Sequence, residues 1–90
     1  MRKLTDHELD LVSDLAVETV EKFIFSRVSK KEILDIHIKA EVTYEDGLTV
    51  DILVDLDLDE LSQVKEKELV EDAVDAALKT LDKFIEENFN

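Results

Sequence analysis

Two alternating stretches, separated by the chain's single glycine, constrain this sequence more than any other feature. From Ile33 the residues Leu34, Ile36, Ile38, Ala40, Val42 and Tyr44 alternate with Asp35, His37, Lys39, Glu41 and Thr43. After Glu45-Asp46-Gly47 the alternation resumes, with Leu48, Val50, Ile52, Val54, Leu56 and Leu58 on one parity and Thr49, Asp51, Leu53, Asp55 and Asp57 on the other. A period of two over such lengths is the mark of half-buried strands.

The connection decides the register. Asp46-Gly47 alone would suggest a two-residue hairpin turn. That turn sets Tyr44 opposite Thr49, an apolar-face residue against a polar-face one, and a slip of one residue turns a whole strand over. A three-residue loop sets Tyr44 opposite Leu48, Val42 opposite Val50 and Ile38 opposite Val54, so that all apolar residues share one face. The sequence therefore predicts an antiparallel hairpin, with Gly47 taking a positive φ in a bulged turn.

A helix precedes the hairpin. Thr5 and Glu8 have the spacing of a capping box, with Leu4 and Leu9 placed for a hydrophobic staple. Leu9, Val12, Ala16, Val20, Phe23 and Arg27 then keep helical spacing, which carries the helix to about Arg27 or Val28. A second helix is expected to begin near Asp59 or Ser62 and to run to the end, carrying Val70, Ala73, Val74, Ala77, Leu78, Leu81, Phe84 and Ile85. Ala73, Ala76 and Ala77 allow a close backbone approach, most simply against the first helix or the sheet.

The expected architecture is a single α+β domain over residues 1–90, in the order α-β-β-α, with two helices on one face of an antiparallel hairpin. Both sheet edges are then free, and long free edges invite pairing. Leu53 on the polar face and the run Phe23-Ile24-Phe25, which one helix face cannot bury, point the same way. A homo- or heterodimer through the sheet edges is expected.

On the polar face this register places Asp35 opposite Asp57, His37 opposite Asp55, Lys39 opposite Leu53, and Glu41 opposite Asp51. Two of these are like-charge pairs, which destabilise a sheet unless something relieves them. The eight residues Asp35, His37, Lys39, Glu41, Asp51, Leu53, Asp55 and Asp57 form the candidate interaction face. Solvent, a basic protein partner or a divalent cation could each neutralise it. Asp55, Asp57, Asp59 and Glu66 have the spacing of alternate ligands and the final glutamate of an EF-hand loop. Glu60 stands where such a loop requires glycine, however, and Leu56 and Leu58 continue the strand.

The chain carries 24 acidic against 11 basic residues, a net charge of −13. Direct binding to nucleic acid needs Lys and Arg on the phosphates and is not expected. His37 beside Asp55 is the spacing of a general-base pair, but no nucleophile accompanies it. One glycine leaves no phosphate-cradling loop, and no cysteine leaves no thiolate chemistry. No catalytic residue, cofactor or metal site is therefore assigned. No apolar stretch is long enough for a membrane span and no signal peptide is visible, so a cytoplasmic location is expected. Abundant charge with few amides suits a thermophile protein.

The leading helix, the hairpin "ILDIHIKAEVTYEDGLTVDILVDLDLDEL" and the final helix "LVEDAVDAALKTLDKFI" together resemble the small dimerising subunit of the archaeal KEOPS complex, or a paralogue of it. KEOPS makes the threonylcarbamoyl modification of tRNA adenosine. The resemblance covers about positions 8 to 86. It implies a non-catalytic subunit whose sheet pairs with another protomer and whose helices dock other KEOPS subunits. Given the acidity of this chain, it implies a paralogue that pairs with the ordinary subunit and caps its dimer surface, without touching tRNA.

Overall fold

Thr5 opens the first helix as its sequence requires. In a computed structural model that describes residues 4–89, the Thr5 hydroxyl accepts from the Glu8 amide at 3.2 Å and the Glu8 carboxylate accepts from the Thr5 amide at 3.0 Å. Leu4 is buried and packs with Leu9, completing the staple. Helix α1 spans Asp6–Arg27 and ends at Val28, whose extended backbone leads into a short 3-10 turn, Lys30–Glu32.

Strand β1 (Ile33–Tyr44) and strand β2 (Leu48–Leu58) pair antiparallel in the register deduced above, from Asp35 opposite Asp57 to Tyr44 opposite Leu48. The register shifts by one between Ile33 and Asp35. This bulge removes Leu34 from the apolar alternation and leaves it exposed. The turn also differs from expectation. Gly47 does not adopt a positive φ, and the loop is closed instead by the Glu45 amide donating to the Gly47 carbonyl at 3.3 Å.

Helix α2 spans Glu66–Phe89, beginning later than Asp59 or Ser62. The Asp59 carboxylate accepts from the Leu61 amide and the Ser62 hydroxyl accepts from the Val64 amide. Such local bonds offer the backbone an alternative to helix and hold residues 59–65 as a loop.

The two helices run antiparallel over the apolar face of the hairpin. At one end Val20, Ile24 and Val28 of α1 meet Leu69, Ala73 and Ala77 of α2 above Leu56 and Leu58. At the other, Leu4, Val12 and Ala16 meet Leu81 above Val42, Tyr44, Leu48 and Val50. Ala73 and Ala77 are fully buried, so the small residues serve close packing inside the chain. Phe23 and Phe25 flank buried Ile24 and are half-buried themselves, each with a cation above its ring: Arg27 at 4.9 Å and Lys30 at 5.1 Å. Arg and Lys stems cover the apolar surface that one helix face could not bury, so this cluster no longer argues for a partner.

Candidate functional site: the acidic face and the open sheet edge

All eight residues of the predicted interaction face lie on the outer side of the hairpin and are exposed. The strand pleat brings them together, because alternate residues share a face. Their charge pairing runs along the strand more than across it. His37 Nε2 lies 3.4 Å from Asp35 Oδ2, and Lys39 Nζ lies 3.5 Å from Glu41 Oε1. The nearest carboxylate contact of His37 is thus Asp35, two residues away, not Asp55 across the ladder. Asp51, Asp55 and Asp57 face solvent without a cation among the described residues. Leu53 stands in the middle of them with 67% of its surface exposed.

Asp35, Asp55, Asp57 and Glu66 line one open concavity of about 300 Å³. Among the described residues, no three carboxylate or imidazole side chains come close enough to hold a metal ion. Asp55 and Asp57 sit on the extended strand while Glu66 opens α2, so the calcium-loop spacing does not wrap into a loop.

The sheet edges differ, and the hydrogen bonds show why. The Glu45 amide bonds to Gly47, and the Asp59 amide donates to the Glu32 carbonyl at 2.8 Å. Both bonds assign the cross-strand ladder to the odd-numbered residues of β2. In an antiparallel strand the two backbone polar groups of a residue point to one side and those of its neighbour to the other. The even-numbered residues Val50, Ile52, Val54 and Leu56 therefore direct their N–H and C=O groups outward, away from β1. The same parity holds on β1, where the Ala40 carbonyl faces outward and accepts a hydrogen bond from the Ser13 hydroxyl of α1 at 3.0 Å.

Helix α1 thus lies close along β1 and bonds to its edge, whereas α2 stands further from β2. The gap is visible as two openings in a row. One, of about 420 Å³, lies between Leu48 and Val50 of β2 and Leu78, Leu81, Asp82 and Ile85 of α2. The other, of about 380 Å³, lies between Val54 and Leu56 and the α2 residues Glu66, Lys67, Val70 and Glu71. Among the described residues, the β2 edge is therefore an unpaired strand beside an apolar cleft. Alternation announced the strand, but the openness of this edge depends on helix placement, which no local pattern encodes.

A family model described as "Protein of unknown function (DUF3194)" matches residues 1–84. The chain belongs to the DUF3194 family. An uncharacterised protein of the archaeon Methanothermobacter thermautotrophicus is 46% identical over 86 residues, covering 96% of this chain and 93% of its own. An uncharacterised protein of Pyrococcus horikoshii is 23% identical over 83 residues, covering 92% and 72%. Among solved structures, the solution structure of the hypothetical protein mth677 from M. thermautotrophicus superposes with a TM-score of 0.85 at 44% identity, covering 100% of this chain and 98% of that one. A crystal structure from Thermococcus onnurineus NA1 shares the fold with a TM-score of 0.83 at 24% identity, covering 97% and 84%. The α-β-β-α arrangement is thus shared with these two solved structures. Among the described residues, no helix is long and apolar enough to cross a membrane.

Proposed function

We propose that this DUF3194 protein is a non-enzymatic assembly subunit that docks a partner chain by strand addition at β2, as an accessory subunit of the archaeal KEOPS tRNA-modification machinery in the cytoplasm. The observation that carries the docking role is the unpaired β2 edge beside the apolar cleft lined by Leu48, Val50, Leu78 and Ile85. An added strand satisfies the outward backbone groups of Val50, Ile52, Val54 and Leu56, and its apolar side chains fill the cleft. The resemblance in element order and hairpin pattern to the small dimerising KEOPS subunit supports that assembly as the setting. The net charge of −13 supports a role in pairing with protein and not with tRNA.

The acidic face supports a second docking surface in the same subunit. Asp51, Asp55 and Asp57 are aligned and exposed around Leu53, with no cation beside them among the described residues. A basic protein surface complements them, and attraction of this kind speeds encounter and weakens with salt.

The test is to mix the purified chain with the small dimerising KEOPS subunit and measure mass by light scattering. A one-to-one heteromer is expected. Two species that stay separate at high micromolar concentration count against the KEOPS assignment.

A further inference from the structure

The β2 edge is also complementary to itself. We infer that, in the absence of another partner, a second copy of this chain occupies it, joining two hairpins into one four-stranded antiparallel sheet with a two-fold axis at Ile52. The inference rests on the reading of β2 as the docking edge and adds its occupant and register.

Pairing by a two-fold axis sets residues whose numbers have a constant sum opposite one another, and only even sums keep apolar faces together. An axis at Leu53 opposes Asp51 to Asp55 of the second copy, twice. An axis at Val54 opposes Asp51 to Asp57, and an axis at Asp51 opposes that residue to itself. The axis at Ile52 alone, among registers that overlap most of the strand, avoids aspartate pairs. It sets Asp51 opposite Leu53, Thr49 opposite Asp55, Val50 opposite Val54 and Leu48 opposite Leu56. It also uses the outward backbone groups of Ile52 for the central pair of hydrogen bonds. The two Leu53 side chains become diagonal neighbours across the interface, about 7–8 Å apart at the backbone, which covers an otherwise exposed leucine.

Helix α2 follows the same symmetry. The cleft sets Leu48 and Val50 beside Leu78–Ile85 and sets Val54 and Leu56 beside Glu66–Glu71. Ile52 is therefore level with Val74 and Asp75, and the two α2 helices run antiparallel about a point between those residues. Lys67 then faces Asp82 of the second copy, and Glu71 faces Leu78. The Lys67–Asp82 contact occurs twice, and Asp75 lies beside Val74 of the second copy, not beside its own counterpart. The half-buried Val70 and Val74 and the more exposed Leu78 gather at the seam between the two helices. Strand and helix are each about 36 Å long. With a depth of about 20 Å for sheet plus helix, roughly 700 Å² per copy is covered, near the 800 Å² typical of a specific interface.

Light scattering of the full chain across a dilution series tests this, with a mass near twice 10.3 kDa expected at high concentration. Leu53→Asp changes an exposed side chain, so the monomer should fold while self-association weakens about ten-fold or more, as apolar contact is lost and acid pairs return. Lys67→Asp and Asp82→Lys should each weaken it about five-fold, and the double variant should recover, because each reversed charge acts in two symmetric pairs. A monomer up to about 1 mM, where affinity becomes negligible, overturns the inference, as does a dimer indifferent to Leu53→Asp or unrescued by the charge swap. If the chain is monomeric yet binds the KEOPS subunit, only the second copy is refuted. If it forms this dimer and binds no KEOPS subunit, only the KEOPS assignment is.

Discussion

The Ser13 hydroxyl donates to the Ala40 carbonyl at 3.0 Å, across 27 residues of sequence, and ties α1 to the edge of β1. This bond makes the two sheet edges unequal. On β1 a helix satisfies an outward carbonyl; on β2 no helix comes as near. Ser13→Ala should leave that partly buried carbonyl without its partner and lower stability by about 1 kcal/mol. Urea unfolding measures this, and a variant as stable as the parent would show that the bond is not maintained in solution.

Gly47→Ala should be tolerated. The residue has no positive φ, and an added Cβ meets nothing within 4 Å. Removing a glycine from a compatible backbone reduces the freedom of the unfolded chain and stabilises by about 0.4–1 kcal/mol. A loss of more than about 1 kcal/mol in thermal unfolding would instead mean that the turn requires a left-handed residue.

Ala77 is fully buried where α2 crosses α1, while Ala76 beside it is only half-buried. Ala77→Leu should overpack that crossing and cost about 1–3 kcal/mol. Ala76→Leu should cost clearly less. Equal losses in chemical unfolding would contradict the helix pairing described above.

Glu18 and Lys22 form an exposed ion pair one helical turn apart, at 2.8 Å. The hydrogen bond from Lys22, followed by its charge, holds the Glu18 carboxyl below its ordinary value, and Glu18 likewise raises Lys22. A depressed acid contributes stability above its unfolded pKa and loses it as pH falls through the folded one. A raised lysine contributes below its unfolded pKa and loses it as pH rises through the folded one. The pair thus acts between the carboxylate and ammonium ranges. In Lys22→Gln the Glu18 titration, followed by NMR, should move upward; an unmoved titration would show that the two side chains do not meet.

The hairpin register was legible in the sequence because side-chain parity forbids the alternatives: Tyr44 can face Leu48 and cannot face Thr49. The eight residues of the acidic face followed from the same parity. What parity does not encode was not legible. His37 turns to Asp35 along its strand through a choice of rotamer. Leu34 lies on a bulge that the alternation conceals. Asp59 and Ser62 carry good helix-start chemistry, yet bind the Leu61 and Val64 amides and hold a loop. Gly47 matched a bulged turn in type, while the Glu45–Gly47 bond closes a different one. The cleft beside β2 arises from where α2 stands, a tertiary property that no single element states.

The unpaired β2 edge is tested most directly by hydrogen exchange at single amides. In the dilute, unpartnered chain the amides of Asp51, Leu53 and Asp55 should be protected by the ladder, while those of Val50, Ile52 and Val54 exchange freely. At high concentration, or with a bound partner, the even-numbered amides should become protected too, with those of Ile38 and Val42 on β1 unchanged. Even-numbered β2 amides that stay fast in every complex the chain forms would contradict strand addition at this edge.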